Sequence, residues 1–192
     1  MKAIRIIQDE HRSIAAVLHG MLYLVREIRD RGAKPDFAVL GAMIYYLDTV
    51  PERFHHPKED RYLFKRLRER HSEAGALLDR LEEEHRVGAE KIRTLEQALA
   101  RYQQGGDNEA AAFIAAVEAY ATFHWSHMRA EEKEVMPLAE KHLSASDWEA
   151  IDEAFAGHTD PLFGEVATDD HRTLFRRIVN LAPPPIGLGP AR

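Results

Sequence analysis

Residues 78–102, LDRLEEEHRVGAEKIRTLEQALARY, decide the fold. Leu78, Leu81, Ile92, Leu95, Leu99 and Tyr102 recur at steps of three and four, which puts them on one stripe of an amphipathic helix. His85 and Gly88 fall on the same stripe, so a histidine takes a core position. Ser72 with Glu73 in the first turn reads as the start of this helix, and Gly105-Gly106 as its end. Upstream, Ile4, Ile7, Ile14, Leu18, Leu22, Val25 and Ile28 form a first stripe, with His11 on it, that should stop near Gly32. Pro35-Asp36 restarts the chain into a second helix through Phe37, Leu40, Ile44 and Leu47. Pro51 and Pro57 then interrupt that helix, and a kink or short break close to His55 is expected, which would re-aim His55 and Glu59. Downstream, Asp107 or Asn108 is expected to cap a fourth helix with the stripe Phe113, Val117, Tyr120, His124, His127, Glu131, Val135 and Leu138.

A shorter helix begins at Ser144-Ala-Ser-Asp and runs through Trp148, Ile151 and Phe155, covering one end or flank. A helical piece around Leu174 to Val179 follows, and then the Pro/Gly-rich segment 183–190, extended unless docked. No strand-like alternation of useful length occurs. The reading is an all-α protein: an antiparallel up-down-up-down four-helix bundle over residues 1–143, with residues 144–192 as a C-terminal helical extension and tail packed on the same domain.

The 192-residue chain is 45% hydrophobic and 30% charged, the balance of a globular protein, and its formal net charge is -6. That charge argues against a sequence-independent nucleic-acid surface, which needs a concentrated basic face. Lys65, Arg66, Arg68 and Arg70 cluster, but acids interleave with them as on a solvated helix face. With no cysteine, disulfides, iron-sulphur ligation and thiolate zinc sites are excluded, so any metal is held by nitrogen and oxygen. The N-terminus has charges in place of a signal-peptide core, and no uncharged run is long enough to cross a bilayer. A cytoplasmic location without membrane contact is expected.

Glu10-His11-Arg12 recurs as Glu84-His85-Arg86, and each copy is followed by His-x-x-x-Glu plus another acid: His55, Glu59 and Asp60, then His127, Glu131 and Glu132. The separation from His11 to His55 is 44 residues and that from His85 to His127 is 42. On an α-helix a residue and its fourth successor sit one above the other, so each His-x-x-x-Glu aims two ligands at one centre. Single histidines on the other two helices complete the set. Helix axes roughly 8–10 Å apart suit two ions bridged by carboxylates, and the expected ligands are His11, His55, Glu59, His85, His127 and Glu131. Imidazole and carboxylate donors suit iron, manganese or zinc. A metal-free reading, with the histidines bonded to Glu59 and Glu131, leaves the repeat unexplained. His56, with Asp60 four residues on, and His124, on the His127 seam, are weaker ligand candidates whose roles stay open. His19, His71, His142, His158 and His171 read as surface or capping residues. Asp60 and Glu132 point about 100° away from the ligand carboxylates and either orient ligands or face solvent.

At these residues the chain resembles the hemerythrin-like, HHE cation-binding family, and more closely its bacterial branch with four histidines and two glutamates, which includes di-iron proteins linked to iron-sulphur cluster repair. The likeness is carried by residues 55–64, HHPKEDRYLF, by residues 124–138, HWSHMRAEEKEVMPL, and by both Glu-His-Arg segments, over roughly residues 1 to 143. It implies a non-haem di-iron centre with His11, His55, His85 and His127 as terminal ligands and Glu59 and Glu131 as bridges. Oxygen-carrying hemerythrins place two histidines four apart on the third helix; here Ala89 stands four residues after His85. With one imidazole fewer, the centre should be more open, which favours reaction with, or sensing of, a small ligand over reversible oxygen carriage.

Two ferrous ions carry more positive charge than two carboxylates offset, so a bridging oxide or hydroxide on the oxidised pair is electrostatically reasonable. The expected partners are oxygen, nitric oxide or peroxide and an electron donor. Ile14, Leu81, Tyr120 and Phe123 are candidate wall residues, and Tyr23, Tyr45 and Tyr46 candidate donors to a bound ligand. The alternatives are a repair or iron-donating protein for damaged iron-sulphur clusters, although the cysteine-rich N-terminal segment of such proteins is missing from these residues, and a metal-free helical interaction protein.

Overall fold

Thirty residues, Lys2–Arg31, wind into α1, which buries Ile4, Ile7, Ile14, Leu18, Leu22 and Val25 and stops at Gly32. Gly32 has φ 63°, a left-handed conformation that a residue without a side chain adopts at little cost. The computed structural model describes residues 1–156; the expected helical piece around Leu174 to Val179, the segment 183–190, His158 and His171 lie outside them. The Asp36 carboxylate accepts the N–H groups of Ala38 and Val39 and so caps α2, Phe37–Leu47.

The deformation expected close to His55 takes the form of π turns, and the chain does not break there. The chain stays helical beyond α2 by winding as a π-helix over Asp48–His55, as α3 over His56–Lys58, as a second π-helix over Glu59–Phe64 and as α4 over Lys65–Arg70. Proline cannot donate and its ring crowds the preceding turn. The wider π turn, in which His56 N–H reaches the Pro51 carbonyl, accommodates it. α5 spans Gly75–Gly105 after a single 3-10 turn at Ser72–Ala74. Asp107 and Asn108 do not cap the next helix. Gly106, at φ 66°, leads into a 3-10 turn over Gly106–Glu109, and α6, Ala110–Ala130, starts without a side-chain cap. α6 continues through a third π segment, Glu131–Val135, into α7, Met136–His142. Both His-x-x-x-Glu motifs therefore end where a π turn begins, at Glu59 and at Glu131.

The described residues form an all-α bundle without strands. α1 packs against α2 and α6, and α5 packs against α2 and α6. α8, Ala145–Ala156, lies on α1. A capping box starts it, with Ser144 N–H bonded to the Asp147 carboxylate and Asp147 N–H to the Ser144 hydroxyl. Arg70 clamps the same carboxylate, and its neighbours Arg66 and Arg68 pair with Glu69, Asp79 and Glu82. The three arginines of the basic cluster are thus neutralised locally. No described helix is long and apolar enough to cross a membrane.

Two separate apolar clusters hold the bundle. One gathers Ile14, Met21, Tyr46, Val50, Ile92, Tyr102, Val117 and Tyr120; the other gathers Ile7, Leu63, Phe64, Leu81, Val135, Trp148, Ile151 and Phe155. On three segments the boundary between the clusters falls at a buried histidine: His11 between Ile7 and Ile14, His55 between Val50 and Leu63, and His85 between Leu81 and Ile92; on α6 His127 lies beside the boundary, which falls between Met128 of the first cluster and Ala130 of the second.

Candidate metal centre

The layer between the clusters holds all six residues that the repeat singles out, and none is more than 6% exposed. The structure brings them to one place. His11 Nε2 lies 3.1 Å from His55 Nε2 and 3.2 Å from a Glu131 oxygen, and His55 Nε2 lies 3.3 Å from Glu59. On the other side His85 Nε2 is 2.9 Å from His127 Nε2 and 3.5 Å from Glu131, and His127 Nε2 is 3.1 Å from Glu131. Glu59 reaches across to His85 Nε2 at 3.7 Å. Two sets of four donors result, one of His11, His55, Glu59 and Glu131 and the other of His85, His127, Glu59 and Glu131, each with ligand atoms within 4.8 Å of one another. The two glutamates belong to both sets.

The outward nitrogen of every imidazole meets a carboxylate. His11 Nδ1 is 3.0 Å from Glu132, His55 Nδ1 2.7 Å from Glu10, His85 Nδ1 2.7 Å from Asp60 and His127 Nδ1 2.9 Å from Glu84. An ionised carboxylate only accepts, so each Nδ1 carries the proton and each Nε2 of a neutral ring turns a lone pair inward. Such carboxylate-histidine pairs fix the tautomer and ring orientation of metal-binding histidines. Glu10 is buried and is held from behind by Lys58 at 3.2 Å. Of the two roles open to Asp60 and Glu132, the structure shows the orienting one. Glu10 and Glu84 were visible only as part of a repeated tripeptide. The signal that could have found them is that both precede a histidine by one residue, which directs them toward the neighbouring helix.

The inner donors fit a cation. All four oxygens of Glu59 and Glu131 are buried, and none accepts a hydrogen bond, a costly state for carboxylates. Pairs of imidazole lone pairs facing each other at about 3 Å repel unless a proton or metal ion lies between them. The protons show the same tension. Burial and the nearby Glu131 push the Glu59 carboxyl up, whereas Glu131, despite burial, is held well below the usual carboxylate range by His127, His11 and His85. Burial pulls His127 down, but Glu131 and Glu84 outweigh it and raise its pKa to about 10.

A second polar group sits beside the layer. The Glu52 side chain, 4% exposed, has His56 Nδ1 at 3.3 Å and His124 Nε2 at 3.4 Å, and it accepts a hydrogen bond from the Tyr120 hydroxyl at 3.3 Å. Burial would raise the Glu52 carboxyl, but His124 and His56 lower it to about 2. Tyr120 thus does more than line a wall. Glu52 escaped the sequence reading, although it precedes His55 by three residues as His124 precedes His127. Of the other tyrosines considered as donors, Tyr45 is 53% exposed and faces away, and Tyr46 is fully buried in the apolar cluster. His19 is exposed beside Trp125, and His71 stacks on His142 at 4.0 Å, all outside the layer.

A helical bundle whose apolar core is split by a layer of histidines and glutamates is built as a metal-binding protein. The family model of the hemerythrin HHE cation binding domain matches residues 2–139, and the chain belongs to that family. No curated protein matches it.

Proposed function

We propose that this chain is a non-haem di-iron protein of the four-histidine, two-glutamate kind, which binds, senses or reacts with a small ligand such as oxygen, nitric oxide or peroxide. The observation that carries this reading is the sharing of Glu59 and Glu131 by two otherwise separate donor sets. In it His11 and His55 hold one ion, His85 and His127 the other, and the two glutamates bridge. Bound there, two redox-active ions would supply the electron exchange with a small ligand that no side chain of this cysteine-free protein provides.

The chain's own residues do the rest. Glu10, Asp60, Glu84 and Glu132 keep the four imidazoles in the ligating tautomer and orientation. The apolar clusters on either side of the layer keep water away and hold the donors rigidly. An external electron donor is part of the proposal.

Metal analysis of protein purified without chelator, with optical spectra before and after reduction and oxygen exposure, tests it. Two irons per chain and near-ultraviolet charge-transfer absorption that bleaches on reduction are expected. Absence of metal together with failure to take up ferrous iron would overturn the proposal and leave a structural bundle.

A further inference from the structure

The carboxylates behind the four inner imidazoles are not held alike. Asp60 and Glu132, behind His85 and His11, are partly exposed and open onto solvent. Glu84, behind His127, takes Arg80 at 2.9 Å, but that arginine is 47% exposed. Glu10, behind His55, is buried, and the cation that meets it, Lys58, is only 12% exposed. Each Glu10 oxygen has one partner: Oε2 accepts from His55 Nδ1 at 2.7 Å, and Oε1 accepts from Lys58 Nζ at 3.2 Å. A lysine ordinarily carries its ammonium out to water. This one turns inward, and removing it would leave a buried carboxylate oxygen unpaired, a costly state.

α8 closes over that ammonium. Lys58 Nζ lies 4.7 Å from the centroid of the fully buried Phe155 ring, a distance at which an aromatic face attracts a cation. α8 is fastened at two further places: Arg70 bonds the Asp147 carboxylate at 2.8 Å, and Asp152 accepts the Ala3 N–H of α1 at 2.7 Å. An unbroken line of contacts therefore runs from α8 into the layer, from Phe155 to Lys58 to Glu10 to His55.

We propose that Lys58 is a positioning residue for the ion held by His11 and His55, and that α8, through Phe155, seats it. The inference rests on the dinuclear reading above and adds to it that α8 is a control element of the centre. Docked, α8 keeps Lys58 on Glu10, and Glu10 fixes the ring of His55. Displaced, it frees the ammonium to turn to water, and the Glu10 carboxylate, held then from one side only, no longer fixes that ring.

The test is chelator competition on the full-length ferrous protein, with iron counted per chain and helicity followed by circular dichroism. Lys58→Met, which keeps the length of the side chain without its charge, should weaken binding of one iron by roughly tenfold or more at unchanged helicity. Lys58→Arg, which keeps the charge, should retain most of the affinity. Phe155→Leu, which keeps the apolar filling without the ring, should weaken binding on the order of threefold. A double-mutant cycle distinguishes positioning from a merely structural role. In a Glu10→Gln background both Lys58→Met and Phe155→Leu should cost little more, because all three residues act on His55 as one unit, whereas independent structural losses would add. If Lys58→Met binds two irons as tightly as the wild type, or if the losses add, the inference fails while the di-iron proposal stands. A wild type that does not bind two irons overturns the di-iron proposal, and this inference with it. Should Lys58→Met not fold, Phe155→Leu with and without Glu10→Gln decides by the same criterion.

Discussion

Glu10 and Glu84 each precede a histidine by one residue yet serve the histidine of the next helical segment, Glu10 at His55 and Glu84 at His127. Removing one such charge leaves the ligands in place but loosens the ring they orient, so Glu10→Gln should weaken metal binding on the order of 10–100-fold with helicity intact. Competition against a chelator measures this, and an unchanged affinity would show that the His55–Glu10 contact is incidental. Protons supply a second expectation. In the metal-free chain the His127 pKa stands at about 10, because Glu131 and Glu84 outweigh the opposing effect of burial. The stabilisation this gives is full below pH 6.5 and is lost as pH rises through about 10. A ligand must shed that proton, so metal uptake at neutral pH should release protons, and affinity should climb with pH over the range below the His127 pKa. Calorimetry in buffers of different ionisation enthalpy counts them; zero release would contradict the assignment of His127. The six inner residues were legible because a repeated spacing survives in sequence. Glu10 and Glu84 were not legible as partners, because each pairing spans two helical segments and only packing reveals which carboxylate meets which ring; Glu52 lies four residues before His56 on one segment, but its contacts with Tyr120 and His124 come from another helix.

At the scale of the elements, helix type and order followed from apolar periodicity, whereas the path of the second segment did not. Pro51 and Pro57 signal disruption, but whether the backbone breaks or widens depends on packing around it, and here tight burial of Val50, Leu63 and Phe64 keeps it helical through π turns. The cap expected at Asp107 or Asn108 is absent because both residues lie inside the 3-10 turn Gly106–Glu109, which leaves Glu109 at the start of α6. Gly88 illustrates how one element constrains another. Alanine favours a helix interior over glycine by roughly 1 kcal/mol, but a Cβ at residue 88 meets both Glu52 oxygens at 3.0 Å. Glu52 is boxed in by His56, His124 and Tyr120, and displacing it would leave the buried Tyr120 hydroxyl without its acceptor, at a cost of about 1–3 kcal/mol. Gly88→Ala should therefore destabilise the metal-free protein by about 1 kcal/mol net, and in a Glu52→Ala background the same change should become stabilising. Denaturant titration of the four proteins decides it; the same sign in both backgrounds would remove the steric argument. The docking of α8 depends on Asp147, whose carboxyl is held below its usual range chiefly by Arg70 and also by Ser144. A depressed pKa contributes stability above pH 3.8 that is lost as pH falls toward the folded value. Asp147→Ala, which removes the capping box and the Arg70 contact together, should cost roughly 1–2 kcal/mol. A protease cut near residue 144 appearing at lower denaturant would report it.

In the whole molecule, two apolar clusters would each be an ordinary bundle core; the layer between them is the exception. Four carboxylate oxygens without hydrogen bonds, facing four imidazoles, are an expensive seam in a protein interior. The metal-free chain softens the cost by unequal protonation, with the Glu59 carboxyl pushed up and Glu131 held down. A cation that binds only the folded arrangement stabilises it by mass action, about 4 kcal/mol when free metal exceeds the dissociation constant a thousandfold. For a domain of this size that corresponds to a melting-temperature rise on the order of 10 °C. The Glu59→Gln, Glu131→Gln double variant separates the cost of the seam from its use. Two neutral amides relieve the crowding of the two carboxyls but also remove the Glu131 charge that favours protonated His127, so a modest loss of metal-free stability at neutral pH is expected, together with abolition of the rise on adding ferrous iron. Differential scanning calorimetry with and without metal reads both quantities. A wild type that binds iron without any rise would mean that metal binds the unfolded chain equally well. A double variant that loses much of its metal-free stability would mean that the glutamates are structural partners of the histidines first, and that the layer holds the bundle together without an ion.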